Sequence, residues 1–116
     1  MRNDRKNLIV DLTFQFALKV VEFADELDKG KKFRLANQLF GCGTSIGANV
    51  REAQNAESRA DFIHKMKLAA KETDETIYWL ELCSTSRVLP TRDDMLAQAV
   101  EISKVLSKII STSKKV

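Results

Sequence analysis

Apolar residues recur every three or four positions in four separate segments of this chain. That spacing follows the 3.6-residue turn of an α-helix and predicts one buried face per helix. The segments predict helices over about residues 8–29, 33–56, 59–86 and 92–110. Four helices joined by short connections favour antiparallel neighbours. The sequence therefore predicts one all-α domain over residues 1–116, an antiparallel up-down-up-down four-helix bundle.

Residues at the ends of these segments predict turns and caps. Gly30 is expected to take the left-handed conformation just past the first helix. Ser58 precedes Asp61 by three residues, which is the spacing of an N-terminal capping box. Thr91 and Asp94 repeat that spacing, so we expect a similar cap on the fourth helix.

Composition supports a helical chain and argues against several other classes. The 116 residues include one Pro and four Gly, too few turn residues for an all-β protein. No apolar run reaches the 18 or more residues of a membrane span. Asp4 and Asp11 lie near the start of the chain, and no small-residue cleavage site follows them. We therefore expect a cytoplasmic protein with no membrane partner.

The sequence offers little for catalysis or metal binding. Two Cys and one His cannot complete a Cys/His zinc site. Asp61 and His64 have the acid-x-x-His spacing of di-iron bundles, but such a site needs a second motif and further glutamates. Cys42 is expected in the core and Cys83 at an edge of the third helix. We predict no catalytic residue, no metal site and no cofactor, and hence a protein that is not an enzyme.

Three glycines lie close together in the second helix. Gly41, Gly43 and Gly47 each cost about 0.5–1 kcal/mol relative to Ala inside a helix. Gly43 and Gly47 fall on one flank of the apolar face, which predicts close approach of a neighbouring helix. A nucleotide-binding loop is not indicated, since no strand precedes the glycines and neither phosphate-loop spacing is present.

The first and third helices carry more apolar residues than one buried face requires. A soluble monomer rarely exposes so much contiguous apolar surface. We expect self-association with Trp79 as an anchor outside its own bundle core, the alternative being a thicker core within one chain. The candidate oligomer interface comprises Phe14, Leu18, Val21, Leu68, Trp79 and Leu82.

Basic residues are concentrated near the end of the chain, although the net charge is only +3. The last thirteen residues contain four lysines and no acid. Such a segment attracts phosphate or an acidic partner, but it also suits a frayed, solvated helix end beyond the core. The candidate phosphate contacts are Lys104, Lys108, Lys114 and Lys115.

Polar residues form a row beside the apolar face of the second helix. Gln38, Ser45, Asn49 and Glu52 fall at nearly one azimuth when each residue turns by about 100°. Such a row either forms hydrogen bonds between helices or faces a bound ligand. We treat it as a candidate functional row.

Residues 44–53, with the sequence TSIGANVREA, resemble a motif of a known bacterial family. Together with a later helical glutamate, they are similar to the four helix bundle protein family, which includes proteins encoded in intervening sequences of 23S ribosomal RNA genes. The resemblance covers roughly residues 8–110 and rests on Ser45, Ile46, Asn49, Val50, Glu52 and Glu75. It adds Glu75 to the candidate polar row.

The resemblance implies a homopentamer without known catalysis. The fold also resembles that of pentameric accessory proteins of diversity-generating retroelements, which bind nucleic acid and a reverse transcriptase. We therefore expect a homo-oligomeric bundle that binds itself, RNA or DNA, and a nucleic-acid-processing protein. The alternative is a protein-binding scaffold or regulator that does not contact nucleic acid.

Overall fold

Four α-helices account for most of the structure, a computed structural model that describes residues 4–115 and the side chains of residues 8–115. They are α1 (Asp4–Lys29), α2 (Phe33–Ala53), α3 (Arg59–Thr85) and α4 (Asp93–Lys114). No strand occurs among residues 4–115. The helices pack in chain order, α1 on α2, α2 on α3 and α3 on α4, while α1 and α4 contact each other less.

The bundle is elongated, with extents of 47 × 21 × 20 Å. Helices of 21–27 residues are roughly 30–40 Å long, so the short turns between them leave each helix antiparallel to the next. The all-α fold class and the up-down bundle are thus confirmed.

The core is built from the apolar faces that periodicity predicts. Its largest fully buried side chains include Phe16, Phe23, Leu39, Met66 and Leu106. Three threonines are also completely buried. Their hydroxyls donate to backbone carbonyls one helical turn earlier, each at 2.8 Å, so no hydroxyl is left unpaired by burial.

Both cysteines are free and buried. Cys42 lies in the core as expected, but the edge position predicted for Cys83 is wrong. Cys83 follows Thr76 and Leu80 at helical spacing, and all three side chains are fully buried. Burial raises the pKa of both thiols, that of Cys42 to about 11.

The turn after α1 differs from its prediction at Gly30. Gly30 continues the helical hydrogen bonding, and Lys31 takes the left-handed conformation with φ 62°. The Lys31 amide donates to the Asp28 carbonyl at 2.9 Å and the Lys32 amide to the Leu27 carbonyl at 2.8 Å. These two bonds form a Schellman motif with Lys31 at the position that usually holds glycine.

The cap predicted at the start of α3 is present. Ser58 Oγ accepts a hydrogen bond from the Asp61 amide at 3.0 Å. The Asp61 carboxylate accepts from the Glu57 amide at 3.2 Å, one residue before the donor of a standard capping box. Local sequence therefore determines where this helix begins.

The cap predicted for α4 is wrong. The helix begins at Asp93, and its N-cap residue, Arg92, makes no side-chain cap bond. The two oxygens of Asp94 instead accept from the Arg92 guanidinium, each at 3.0 Å, and Asp93 accepts from Ser84 of α3 at 2.7 Å. A bidentate charged contact is stronger than a single bond to Thr91.

Two helix ends also differ from the sequence-based boundaries. α2 ends at Ala53 rather than near residue 56, and the next three amides bond to carbonyls three residues back. α4 does not fray at Ser111 but continues to Lys114. Ile109 and Ile110 still pack against the core, and Ser113 donates to the Ile109 carbonyl at 2.8 Å.

The glycines of α2 allow close contact with α1. A Cβ atom at Gly43 would lie 2.7 Å from both methyl carbons of Val20, and one at Gly47 would lie 3.2 Å from the backbone oxygen of Thr13. A Cβ at Gly41 would have no neighbour within 4 Å. Gly43 and Gly47 are therefore packing glycines, as their shared flank predicts.

Candidate functional site

The predicted polar row lies along the side of α2 that faces α3. At one end, the Glu52 carboxylate pairs with the Lys65 ammonium of α3 at 3.1 Å. At the other end, Gln38 lines a groove together with Trp79 of α3. The row therefore follows the α2–α3 contact along almost the whole length of α2.

Two members of the row use their donors within α2. Ser45 Oγ donates to the Gly41 carbonyl at 2.6 Å, and Asn49 Nδ2 donates to the Ser45 carbonyl at 2.9 Å. Both bonds satisfy polar groups of partly buried residues without a ligand. These bonds within one helix are neither of the two uses predicted for the row, which were hydrogen bonds between helices and contact with a bound ligand.

Glu75 lies beside this row, on the neighbouring turn of α3. Its side chain is exposed, and it is near enough to Cys42 of α2 that its charge helps to raise the pKa of that thiol. Burial is the largest cause of that shift. The tertiary structure thus brings Glu75 to the α2–α3 seam, where the resemblance groups it with the row.

The candidate interface residues of α1 form an exposed apolar stripe. Phe14, Leu18 and Val21 are 45%, 46% and 42% exposed. Val10, Phe14 and Ala17 line a groove of about 400 Å³ against α2, in which Arg51 lies over the Phe14 ring at 5.3 Å. These three residues are the α1 part of the predicted interface.

Phe40 of α2 is an exposed apolar residue that the sequence analysis did not single out. It is 49% exposed and precedes Gly43, which contacts α1, by three residues. Phe40 therefore lies on the side of α2 next to α1. The seven-residue spacing from Phe40 to Gly47 would have indicated this position.

Trp79 lies at the margin of the core of its own bundle, neither fully buried in it nor free of it. It is partly buried and packs against the core, and its ring meets that of Tyr78 edge-on at 5.4 Å. Its Nε1 is buried and has no hydrogen-bond partner in the described part of the chain. Leu82 is 39% exposed and lines the groove of about 500 Å³ that Gln38 and Trp79 also line. Leu68 is partly buried.

The four candidate lysines are all exposed and lie on α4 or directly after it. They are therefore held on an ordered helix rather than on a frayed tail. None forms an ion pair with a carboxylate among the described residues, where the pairs are Asp25–Lys29, Glu52–Lys65 and Arg92–Asp94. Their charges are available to an external anion.

Lys67 of α3 is a basic residue that the sequence analysis missed. The positive charge of the nearby Lys67 side chain lowers the pKa of Lys114. The residues are 47 positions apart in the chain, so only the antiparallel packing of α3 on α4 brings them together.

No group of three or more His, Cys, Asp and Glu residues suited to a metal ion occurs within the described residues. His64 is exposed, and Asp61 serves in the α3 cap. No helix in the described chain is long and apolar enough to span a bilayer.

Comparison with known proteins connects this bundle to one family. The family described as 23S rRNA-intervening sequence protein matches residues 5–108. Comparison with curated proteins returns no match. A crystal structure from Bacteroides thetaiotaomicron, described as a protein with unknown function from the S23 ribosomal protein family, is 41% identical with a TM-score of 0.85. The similarity covers 91% of this chain and 97% of that one.

These matches agree with the four helices and with the motif at residues 44–53. The family match includes the polar row, the glycines of α2 and the α1 stripe. The chain belongs to the family of 23S rRNA-intervening sequence proteins.

Proposed function

We propose that this protein is a non-enzymatic helical bundle that assembles with itself, as a pentamer by resemblance, and binds nucleic acid through phosphate contacts. The family name, which refers to 23S rRNA, supports an RNA-related role. The proposed partners are a second copy of the chain, RNA or DNA, and a nucleic-acid-processing protein. Such partners are found in the cytoplasm, the compartment that the sequence predicts.

The proposal is carried by the uneven charge of the α3–α4 hairpin. Residues 59–71 and 102–115 contain eight Lys or Arg residues and one acid, whereas residues 72–101 contain two Arg and seven acids. Antiparallel packing places the two basic segments at the same end of the bundle. A local field of this sign attracts a polyanion even though the net charge is only +3.

The alternative function is a scaffold or regulator that binds only proteins. The exposed stripe of Phe14, Leu18 and Val21 supports it, since apolar side chains of this size suit a protein interface. The two functions differ in salt dependence. Binding to phosphates releases counterions from the nucleic acid, and this release becomes less favourable as the salt concentration rises. Phosphate contacts therefore weaken steeply between about 50 and 200 mM salt, whereas apolar docking changes little.

The test is binding of unrelated RNA and DNA oligonucleotides to wild type and to a variant with Lys104, Lys108, Lys114 and Lys115 replaced by Gln. We expect weaker binding to every sequence. For single strands, the plot of log affinity against log salt should become less steep by up to about 0.7 per lysine removed. The fold should not change, because these side chains are exposed.

The matched control also removes four charges, but from the opposite end of the bundle, by replacing Lys29, Lys31, Lys32 and Arg87 with Gln. It should keep most of the affinity and the salt slope of wild type. If wild type retains neither RNA nor DNA at about 50 mM salt, nucleic-acid binding is wrong and the protein-scaffold function becomes the better account.

A further inference from the structure

Half of the ten large apolar side chains that are exposed in the described chain lie on one side of the bundle, between α1 and α2. Phe14, Leu18 and Val21 of α1 are joined there by two side chains of α2. Phe33 and Phe40 are 56% and 49% exposed and lie two turns apart on one side of α2. We call these five residues the α1–α2 apolar face.

The apolar face is continuous across the contact between its two helices. The groove of about 400 Å³ between them is lined by Phe14 of α1 and by Thr44 of α2. Val21 follows Phe14 by two helical turns, and Phe40 precedes Thr44 by one, so these side chains lie on the same side of the bundle.

A second apolar surface lies on the neighbouring side of the bundle, between α2 and α3. It is the groove of about 500 Å³, whose apolar lining is Leu35 of α2 with Trp79 and Leu82 of α3. The polar side chains of Arg34 and Gln38 also line it. An apolar centre with polar neighbours suits the apolar side chains of another protein.

Opposite charges lie at the same end of the two surfaces. Asp28 follows Val21 by seven residues and so continues the line of the apolar face to the end of α1. Arg34 lines the groove at the start of α2, directly after the short turn from α1. Both residues are exposed, and neither is in an ion pair with another described residue.

We propose that the α1–α2 apolar face of one copy packs into the α2–α3 groove of the next, with the two copies parallel. The Asp28 carboxylate of one copy then lies level with the Arg34 guanidinium of the other. The inference rests on the self-association proposed above and adds the second surface and the mode of contact. Because the two surfaces differ, the contact is heterologous and runs head to tail from copy to copy.

The positions of the two surfaces favour closure into a small ring. The helices pack in chain order, so the α1–α2 and α2–α3 sides are neighbours and face directions roughly 90° apart. A ring of four copies requires about 90° between its two contact surfaces, and a ring of five requires about 108°. With extents of 47 × 21 × 20 Å, one side of the bundle offers roughly 900 Å², close to the ~800 Å² that one partner contributes to a stable interface.

The test uses two variants that each remove one surface. The face variant is Leu18→Gln with Val21→Gln, and the groove variant is Arg34→Glu with Leu82→Gln. Each alone should have the mass of a single chain at the micromolar concentration at which wild type assembles. Mixed in equal amounts, they should form a species of one chain of each kind, since each variant keeps the surface that the other lacks. Light scattering and native mass spectrometry measure this.

The matched control is Val100→Gln with Lys104→Glu on α4, which makes the same kinds of change outside both surfaces and should assemble as wild type does. Circular dichroism should show the same helix content for all variants, because every substituted side chain is exposed.

A charge exchange tests the contact with single substitutions. Asp28→Arg alone and Arg34→Asp alone should each need about 10-fold more protein to assemble at about 50 mM salt, because like charges then meet. An equal mixture should assemble more readily than either variant, since alternating copies restore opposite charges at each contact.

The outcomes separate this inference from the proposed function. If the groove variant assembles as wild type does, or if neither mixture assembles better than its separate variants, the contact of face with groove is wrong while self-association stands. If wild type is a single chain at micromolar concentration, this inference and the proposed self-association both fail.

Discussion

At the residue scale, the turn between α1 and α2 depends on the strained backbone of Lys31. Its φ of 62° costs a residue with a side chain about 1–2 kcal/mol, whereas glycine adopts it freely. Glycine also has greater conformational freedom in the unfolded chain, and this offsets part of the gain. We therefore expect Lys31→Gly to stabilise the fold by about 0.5–1 kcal/mol. Urea unfolding measures the change.

Gly30→Ala is the matched variant. A Cβ at Gly30 would meet the carbonyl oxygens of Glu26 and Leu27 at 3.6 Å, an ordinary contact, and φ is not positive there. This variant should be neutral or slightly stabilising. If Gly30→Ala instead lowers the stability of the fold and Lys31→Gly does not raise it, the residue in the left-handed conformation is Gly30 and not Lys31.

Asp94 predicts a pH effect on stability. The hydrogen bonds from Arg92 lower the pKa of Asp94 from 3.8 to about 2. Since the folded pKa is below the unfolded one, the pair stabilises the protein above about pH 4, and that contribution is lost as the pH falls towards 2. The group is exposed, so the contribution is below about 1 kcal/mol.

The variant Asp94→Asn should therefore have a smaller drop in melting temperature than wild type between about pH 4 and 2. Arg92→Gln should have the same effect, because it removes the partner of the same pair. Thermal unfolding followed by circular dichroism across this range measures both. An unchanged acid profile in both variants would contradict the assignment.

At the element scale, the α1–α2 contact depends on the absence of a side chain at Gly43. Because a Cβ there would lie 2.7 Å from two Val20 carbons, Gly43→Ala should destabilise the fold by about 1–3 kcal/mol. Gly41→Ala places the same methyl group in open space and should stabilise it by about 0.5–1 kcal/mol. Chemical denaturation of the two variants separates packing from helix propensity.

The cause can be tested with Val20. Replacing Val20 by Ala removes both crowding methyl carbons, so Gly43→Ala should cost less in that background than in wild type. If its cost is the same in both, the crowding does not arise from Val20.

At the scale of the whole molecule, exposed apolar surface predicts self-association. Leu18→Gln with Val21→Gln should reduce the oligomer to smaller species without unfolding the protein, because both side chains are more than 40% exposed. Light scattering after size-exclusion chromatography measures this. Wild type that is monomeric at micromolar concentration would contradict the assembly.

Val88→Gln with Val100→Gln is the matched control. It replaces two exposed apolar residues of the α3–α4 connection and of α4, outside the predicted interface, and should leave the oligomer intact. Trp79→Ala tests this interface less cleanly, since Trp79 also packs on its own core and its loss would lower the stability of the fold.

The sequence by itself determined the features that arise from neighbouring residues. The 3.6-residue period places Phe16, Val20 and Leu39 inside, because burying one face is the main source of helix stability in a bundle. Ser58 caps α3 because its partner is three residues away. The sequence also predicts the packing glycines, because a glycine on the flank of a buried helix face most often allows close contact with a neighbouring helix.

The tertiary structure decided what depends on residues far apart in the chain or on competing partners. The charge of Lys67 lowers the pKa of Lys114 only because the packing of α4 on α3 brings residues 47 positions apart near each other. Asp94 binds Arg92 instead of capping α4, because a charged bidentate contact is stronger than a single cap bond. Trp79 packs against the core and lines a groove together with residues of α2 and Leu89, which the azimuth of one helix does not reveal.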